Sequence, residues 1–279
     1  MRHAFFDGLR PTLHIAHRGG AALAPENTMV AFRAAVEVWH TDMLELDVHR
    51  SRDGELVVHH DPDLDRCTNG RGPLAERTWA ELEDLDAGWH HPAHRGAGLR
   101  LPRLVEVLEA FPRTRLNVEL KASDPALVTD FVRLLRQRGE VDRVCCGSEI
   151  DDVGEALRAA LPEGCHFLPR GALTAWVTGA LQGASPAAPA GYHVVDMPMT
   201  WQGMNLVNDR LVSAADRAGL WVNVWTVDEE PDMERLRDLG VGGIMTDRPD
   251  RLRRVLGPGP GRQGSPDGLA GRDRRPLSP

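Results

Sequence analysis

Leu13-His14-Ile15-Ala16-His17-Arg18-Gly19-Gly20, followed by Pro25-Glu26-Asn27-Thr28, decides the reading of this chain. An apolar run ends in a histidine and an arginine, and two glycines then turn the backbone toward a helix start. Such a turn presents an acid–base group and a guanidinium fork at the end of a strand, where a phosphate fits. Read alone, it is equally a piece of surface. Three later stretches repeat the design: Glu45-Leu46-Asp47, His60-Asp61 and Glu119-Leu120-Lys121 each close an apolar run.

Outward from that stretch, apolar runs alternate with amphipathic ones. Strands are expected at 13–17, 43–49, 56–59, 116–120, 144–147, 166–168, 192–195, 221–225 and 243–245. Helices are expected at 28–39, 104–111, 125–138, 151–161, 173–181, 209–218, 230–239 and 249–256. In the first of these, Met29, Phe32, Ala35, Val36 and Trp39 recur at three- and four-residue spacing. This alternation predicts the α/β class and a TIM (β/α)8 barrel, one domain over residues 1–256. Residues 61–100, rich in Gly, Pro, His and Asp, break the rhythm. They read as a small insertion after the second strand, with one short helix at 78–84. Residues 257–279 have almost no apolar content and are expected to form a disordered tail.

The 279 residues are 42% hydrophobic and 27% charged, as in a soluble globular protein. A formal net charge of -8 supplies no term for a phosphate backbone, so no nucleic-acid partner is expected. It is compatible with a small anion, because a local cation and arginine override the global field. Cys67, Cys145, Cys146 and Cys165 form no Cys-x-x-Cys pair. They read as reduced packing residues, which fits a cytoplasmic protein. Asp7 and Arg10 interrupt any signal-peptide apolar region, and no window has the length of a membrane span.

In such a barrel the reactive groups sit at the carboxyl ends of the strands. Glu45 and Asp47 are two apart on a strand, so they share a face. That face is the interior if Leu44, Leu46 and Val48 pack outward. Two inward carboxylates repel unless something positive lies between them, and Glu119 is the natural third. Three hard oxygen donors without cysteine predict one divalent cation, Mg2+ or Ca2+ rather than Zn2+. The alternative is an ion-pair network with Arg18 and Lys121 and no metal. His17 and His60 titrate nearest neutrality, and a pair of histidines across a phosphate acts as base and acid. Asp61 either orients a ring or caps a turn before Pro62. His40, His49, His90, His91, His94 and His193 read as surface residues, and His59 as facing away from His60. Trp225 ends a strand with Trp201 in a nearby loop; core packing is the default, and an indole at the barrel mouth would floor the alcohol part of a substrate. Asp247 reads as the cap of the last helix.

Together these residues resemble the glycerophosphodiester phosphodiesterase family. Its pattern is His-Arg-Gly, Pro-Glu-Asn-Thr, Glu-x-Asp-Val, His-Asp, Glu-x-Lys and a Thr-Asp-x-Pro strand terminus. The likeness runs in order from His17 to Pro249. It implies a barrel with an insertion after the second strand, and metal-dependent hydrolysis of a small-molecule glycerophosphodiester to an alcohol and sn-glycerol 3-phosphate. By position it makes His17 and His60 the acid–base pair, Glu45, Asp47 and Glu119 the metal ligands, and Arg18 and Lys121 the phosphate holders. His17 is favoured as base and His60 as acid. Water and the glycerol 2-hydroxyl stay open as nucleophile. Glu26 either supports the His17 turn or approaches the metal. Two departures lie outside this set: His40-Thr41-Asp42 replaces Gly-Ala-Asp, and Val241-Gly242-Gly243 replaces Val-Asp-Gly.

Three rivals stand against that reading. A lysophospholipase D-like or sphingomyelinase D-like lipid phosphodiesterase on the same barrel wants an apolar rim or an anchor. Neither is plain, although 176–181 is a candidate. A two-carboxylate glycosidase has no use for Arg18, Lys121 and two histidines together. A binding module is expected to have lost a ligand or a histidine, and none is lost here. The preferred alcohol and the oligomeric state are not written in the sequence.

Overall fold

The computed structural model describes residues 3–257; of the tail expected at 257–279, all but Gly257 lies outside the described residues. The strands are β1 (Leu13–Ala16), β2 (Met43–Arg50), β3 (Leu56–Val58), β4 (Arg115–Leu120), β5 (Val144–Gly147), β6 (Cys165–His166), β7 (Val194–Pro198), β8 (Thr200–Trp201), β9 (Met204–Asn205), β10 (Trp221–Trp225) and β11 (Gly243–Thr246). The helices are α1 (Met29–Arg33), α2 (Trp79–Leu82), α3 (Leu104–Ala110), α4 (Pro125–Arg138), α5 (Asp151–Ala160), α6 (Arg170–Leu181), α7 (Asp209–Ala218), α8 (Glu230–Asp238) and α9 (Pro249–Leu256).

Eight strands run parallel in the order β6-β5-β4-β2-β1-β11-β10-β7. At the seam, Phe167 bridges Val194. There His193 N–H donates to the His166 carbonyl at 2.8 Å and Leu168 N–H to that of Val194 at 3.0 Å. The chain is a (β/α)8 barrel. β3 folds back antiparallel on the end of β2. The insertion that follows it encloses a small core of its own: Val57, Leu64, Leu74, Leu82, Ala87 and Leu101.

The pleat sorts the side chains. Leu44, Leu46 and Val48 point outward into a layer with Phe32, Leu104 and Phe131, as the alternation requires. The odd partners point inward. At the amino end, Leu13, Met43, Val194 and Trp221 pack under a one-turn plug at Ala4–Phe6. Phe6 stacks on Trp221 at 4.7 Å. A Cβ at Gly242 would lie 2.3 Å from Trp221 Nε1, so glycine at this position makes room for the indole. Above the plug, Asp196 accepts Asn117 Nδ2–H at 2.7 Å and Asn223 Nδ2–H at 2.8 Å. Burial pushes the Asp196 carboxyl up to about 6 against these two bonds.

Asp196 also explains a displaced boundary. The strand expected at 192–195 runs instead over Val194–Pro198. A carboxylate two residues in reads as the end of an apolar run, but it faces inward onto amides. The helix expected at 28–39 is α1 followed by a wider π turn over Ala34–Val38. The β8–β9 hairpin carries no periodic signal and was expected as a loop. All four cysteines are free thiols, with Cys145 and Cys146 buried on β5. Among the described residues no helix is long and apolar enough to cross a membrane.

Candidate active site

The His17 turn is built by sterics. Arg18, Gly19 and Gly20 all take positive φ, at 50°, 82° and 99°. A Cβ at Gly19 would lie 2.8 Å from that of Ala31, and one at Gly20 would lie 2.7 Å from Pro249 Cγ. The turn therefore docks tightly between α1 and α9 and aims Arg18 across the barrel mouth. Its Arg18 N–H donates to Glu45 Oε2 at 3.0 Å.

The register of β2 on β4 pairs Asp47 with Glu119 and Glu45 with Asn117. Glu45 and Asp47 are buried, and Glu119 is partly so. The three carboxylates thus share one quadrant of the mouth with two cations. Arg18 Nε lies 3.3 Å from Asp47 Oδ2, and Lys121 Nζ lies 3.1 Å from Glu119 Oε2 and 3.6 Å from Asp47 Oδ1. Asn27 Nδ2–H also donates to Asp47 Oδ2 at 2.9 Å. Burial, then Asp47, pushes the Glu45 carboxyl up to about 8, against His17 and Arg18. Burial likewise pushes Glu119 up to about 7, with Lys121 opposing. Lys121 is held above its ordinary value: burial lowers it, but Glu119 and Asp47 outweigh that.

The ion-pair network raised as the alternative to a metal is therefore present. Among the described residues, no three His, Cys, Asp or Glu side chains already surround a point that could hold a metal ion. The donor chemistry fits a hard divalent cation nonetheless. Three carboxylates, all hard oxygen donors, face only two positive side chains, Arg18 and Lys121. Opening the Arg18–Asp47 and Lys121–Glu119 pairs would free these oxygens.

Both histidines arrive with a carboxylate behind them. His17 Nδ1 is 2.7 Å from Asp247 Oδ1, and its Nε2 is 3.9 Å from Glu45 Oε2. His60 Nδ1 is 2.6 Å from Asp61 Oδ1. Holding each Nδ1 turns each Nε2 toward the site. Burial lowers the His17 pKa, but the Asp247 bond and Glu45 overcome it and the net shift is upward. Burial also lowers His60; Asp47 and Asp61 push back, Arg18 and Lys121 assist, and the net shift is downward.

Two sequence expectations are corrected here. Asp247 is not the helix cap: the N-cap of α9 is Arg248, and Asp247 holds His17. Asp228 Oδ1 in turn accepts the Asp247 N–H at 2.9 Å. His49 is not a surface residue: it is buried, and its Nε2 sits 3.0 Å from the His60 carbonyl oxygen. Its signal was available, since it lies two residues beyond Asp47 on the same inward face. His40 and His90 are exposed, and the His59 ring turns away to the Asp63 carbonyl at 3.1 Å. Glu26 holds the turn through Arg18 Nη1 at 3.0 Å. Its carboxyl falls to about 2 because Arg66 and Arg18 overcome the cost of burial.

Trp225 is partly buried at the end of β10 and packs against the barrel-interior cluster. Its carbonyl accepts the Met199 N–H at 3.1 Å, at the root of the β8–β9 hairpin. Trp201, at the tip of that hairpin, is exposed.

A model of the glycerophosphoryl diester phosphodiesterase family matches residues 17–251. The chain belongs to this family of hydrolases. In this chain the set from His17 to Lys121 lies on one barrel face. It is 32% identical over 253 residues to a glycerophosphodiester phosphodiesterase of Caldanaerobacter subterraneus subsp. tengcongensis, covering 86% of this chain and 96% of that one. It is 31% identical over 274 residues to a lysophospholipase D of Rattus norvegicus, covering 87% and 85%. The crystal structure of a glycerophosphodiester phosphodiesterase from Agrobacterium tumefaciens superposes with a TM-score of 0.70 at 31% identity, over 88% of this chain and 100% of that one.

Proposed function

We propose that this protein hydrolyses glycerophosphodiesters to an alcohol and sn-glycerol 3-phosphate, using one divalent cation and a histidine pair. The observation that carries the reading is the convergence of two carboxylate-backed imidazoles with Arg18 and Lys121 on three carboxylates. Glu45, Asp47 and Glu119 would hold the cation, Mg2+ or Ca2+. When bound, it supplies Lewis-acid neutralisation of a non-bridging phosphate oxygen. Arg18 offers a planar fork to the other phosphate oxygens and Lys121 a point charge.

Two imidazoles flanking one phosphate are the groups that a proton relay needs. One ring takes the proton of the nucleophile and the other gives a proton to the leaving alcohol. His17 is taken as the base, its Nδ1 held by Asp247 so that Nε2 can accept the proton, and His60 as the acid. Trp225 lines the mouth where the alcohol leaves. The free thiols suit a reducing compartment, and the cytoplasm is the proposed one.

The test is release of sn-glycerol 3-phosphate from glycerophosphocholine, abolished by chelator and restored by Mg2+ or Ca2+. Absence of release with either cation would sink the reading.

One observation favours a second reading, a diester whose alcohol carries a long hydrocarbon chain, as in lysophospholipids. Trp201 and Met204 are cross-strand partners and are 57% and 59% exposed. A tight turn at Gln202 and Gly203, both at positive φ, joins them. The hairpin follows β7, four strands from β2 either way round the barrel, so it stands across the mouth from the carboxylates. Burying these two side chains against a chain is worth a few kcal/mol at about 25 cal/mol per Å2. Trp201→Ser should then lower kcat/KM for monomeric lysophosphatidylcholine about tenfold and leave glycerophosphocholine unchanged. Equal effects on both substrates count against this second reading alone.

A further inference from the structure

Arg66 lies in the insertion, outside the predicted site, yet it touches the supports of both a histidine and an arginine within it. Its Nε donates to Asp61 Oδ2 at 2.6 Å and its Nη2 to Asp61 Oδ1 at 3.0 Å. On its other edge, Nη1 donates to Glu26 Oε2 at 2.6 Å and Nη2 to Glu26 Oε1 at 2.8 Å. Each carboxylate then reaches inward. Asp61 Oδ1 meets His60 Nδ1 at 2.6 Å, and Glu26 Oε1 accepts Arg18 Nη1–H at 3.0 Å.

We propose that Arg66 is a positioning residue that locks His60 and Arg18 into one geometry by forking Asp61 and Glu26. The fork explains the residue type. Four bonds to two carboxylates need a planar guanidinium, and an ammonium serves as one point only. It also explains why the insertion matters to the chemistry. Asp61, adjacent in sequence to His60, is free to swing as a turn residue unless something outside holds its second oxygen. With Asp61 held, Nδ1–H stays committed to Asp61, and Nε2, the nitrogen that exchanges the catalytic proton, faces the phosphate. An isolated pair at this exposure does little for folding. The expected effect is therefore on alignment, where small misplacements of a reacting group cost rate.

The inference rests on the proposed role of His60, so its test has a readout apart from turnover. At a pH where the His60 ring is neutral, long-range 15N–1H correlation spectra of the wild-type protein should show it as a single Nδ1–H tautomer. Arg66→Met should turn it into a mixture. With glycerophosphocholine, Arg66→Met should lower kcat about tenfold or more with the melting temperature little changed. In a His60→Ala background the same substitution should cost less than in the wild type, because only the path through Glu26 to Arg18 remains. Arg66→Lys, which keeps charge but not the fork, should also lose the single tautomer, and it carries the test if Arg66→Met does not fold. An unchanged His60 tautomer in the variants, or an equal kcat loss in both backgrounds, overturns the proposal. A wild-type protein that releases no sn-glycerol 3-phosphate overturns the proposed function, while the tautomer measurement still decides the role of Arg66.

Discussion

Asp196→Asn should stabilise the barrel at neutral pH and leave it nearly unchanged in acid. Asp196 is buried among Asn117 and Asn223, and its carboxyl is displaced from 3.8 to about 6. A displacement of about two units corresponds to roughly 3 kcal/mol between the two protonation states. The sign follows from the direction. The folded pKa is raised, so Asp196 favours folding fully below its unfolded value. That contribution disappears as pH rises through about 6. Asparagine never ionises and so never incurs the loss. It can also be accommodated: Asn223 Oδ1 has no hydrogen-bond partner, so turning that amide over presents an acceptor to the new NH2. At about 2–4 °C per kcal/mol for a domain of this size, the variant should melt roughly 5–10 °C above wild type at pH 7. At pH 4 the two should nearly coincide. Differential scanning calorimetry with chelator present is the assay, because Glu45 and Glu119 then titrate alike in both proteins. A difference in melting temperature that is the same at pH 4 and pH 7 would refute the assignment of a charged, poorly compensated Asp196.

Two further outcomes follow from the site. Glu45→Gln removes one of the three oxygen donors, so Mg2+ or Ca2+ affinity by isothermal titration should drop about tenfold or more with the fold intact; unchanged affinity would move the cation elsewhere. His60→Ala should lower turnover of glycerophosphocholine about 10²- to 10⁴-fold. If His60 protonates the leaving alcohol, a nitrophenyl diester should suffer far less, and equal loss on both substrates would assign His60 the base role instead.

The parts of the site readable in advance are those whose geometry is local. Glu45 and Asp47 had to share a face because a strand alternates, and Leu44, Leu46 and Val48 declared which face is dry. The same rule places His49, two residues further on, on that inward face, although histidine by itself reads as a surface residue. The turn at Gly19 and Gly20 was readable because two adjacent glycines after a strand mark a backbone that something crowds, here Ala31 and Pro249. Asp196 misled for the opposite reason: a carboxylate in a strand looks like its end unless its partners are known.

What the chain by itself determined was the order and period of the strands, and with them the quadrant of carboxylates contributed by β2 and β4. Only the closed barrel decided that Asp247 stands behind His17, 230 residues away. That pairing exists because ring closure places β11 beside β1. Only the tertiary fold likewise carried Arg66 across to Glu26. Local preferences act through neighbours along the backbone, whereas these contacts follow from where the last strand and the insertion come to rest.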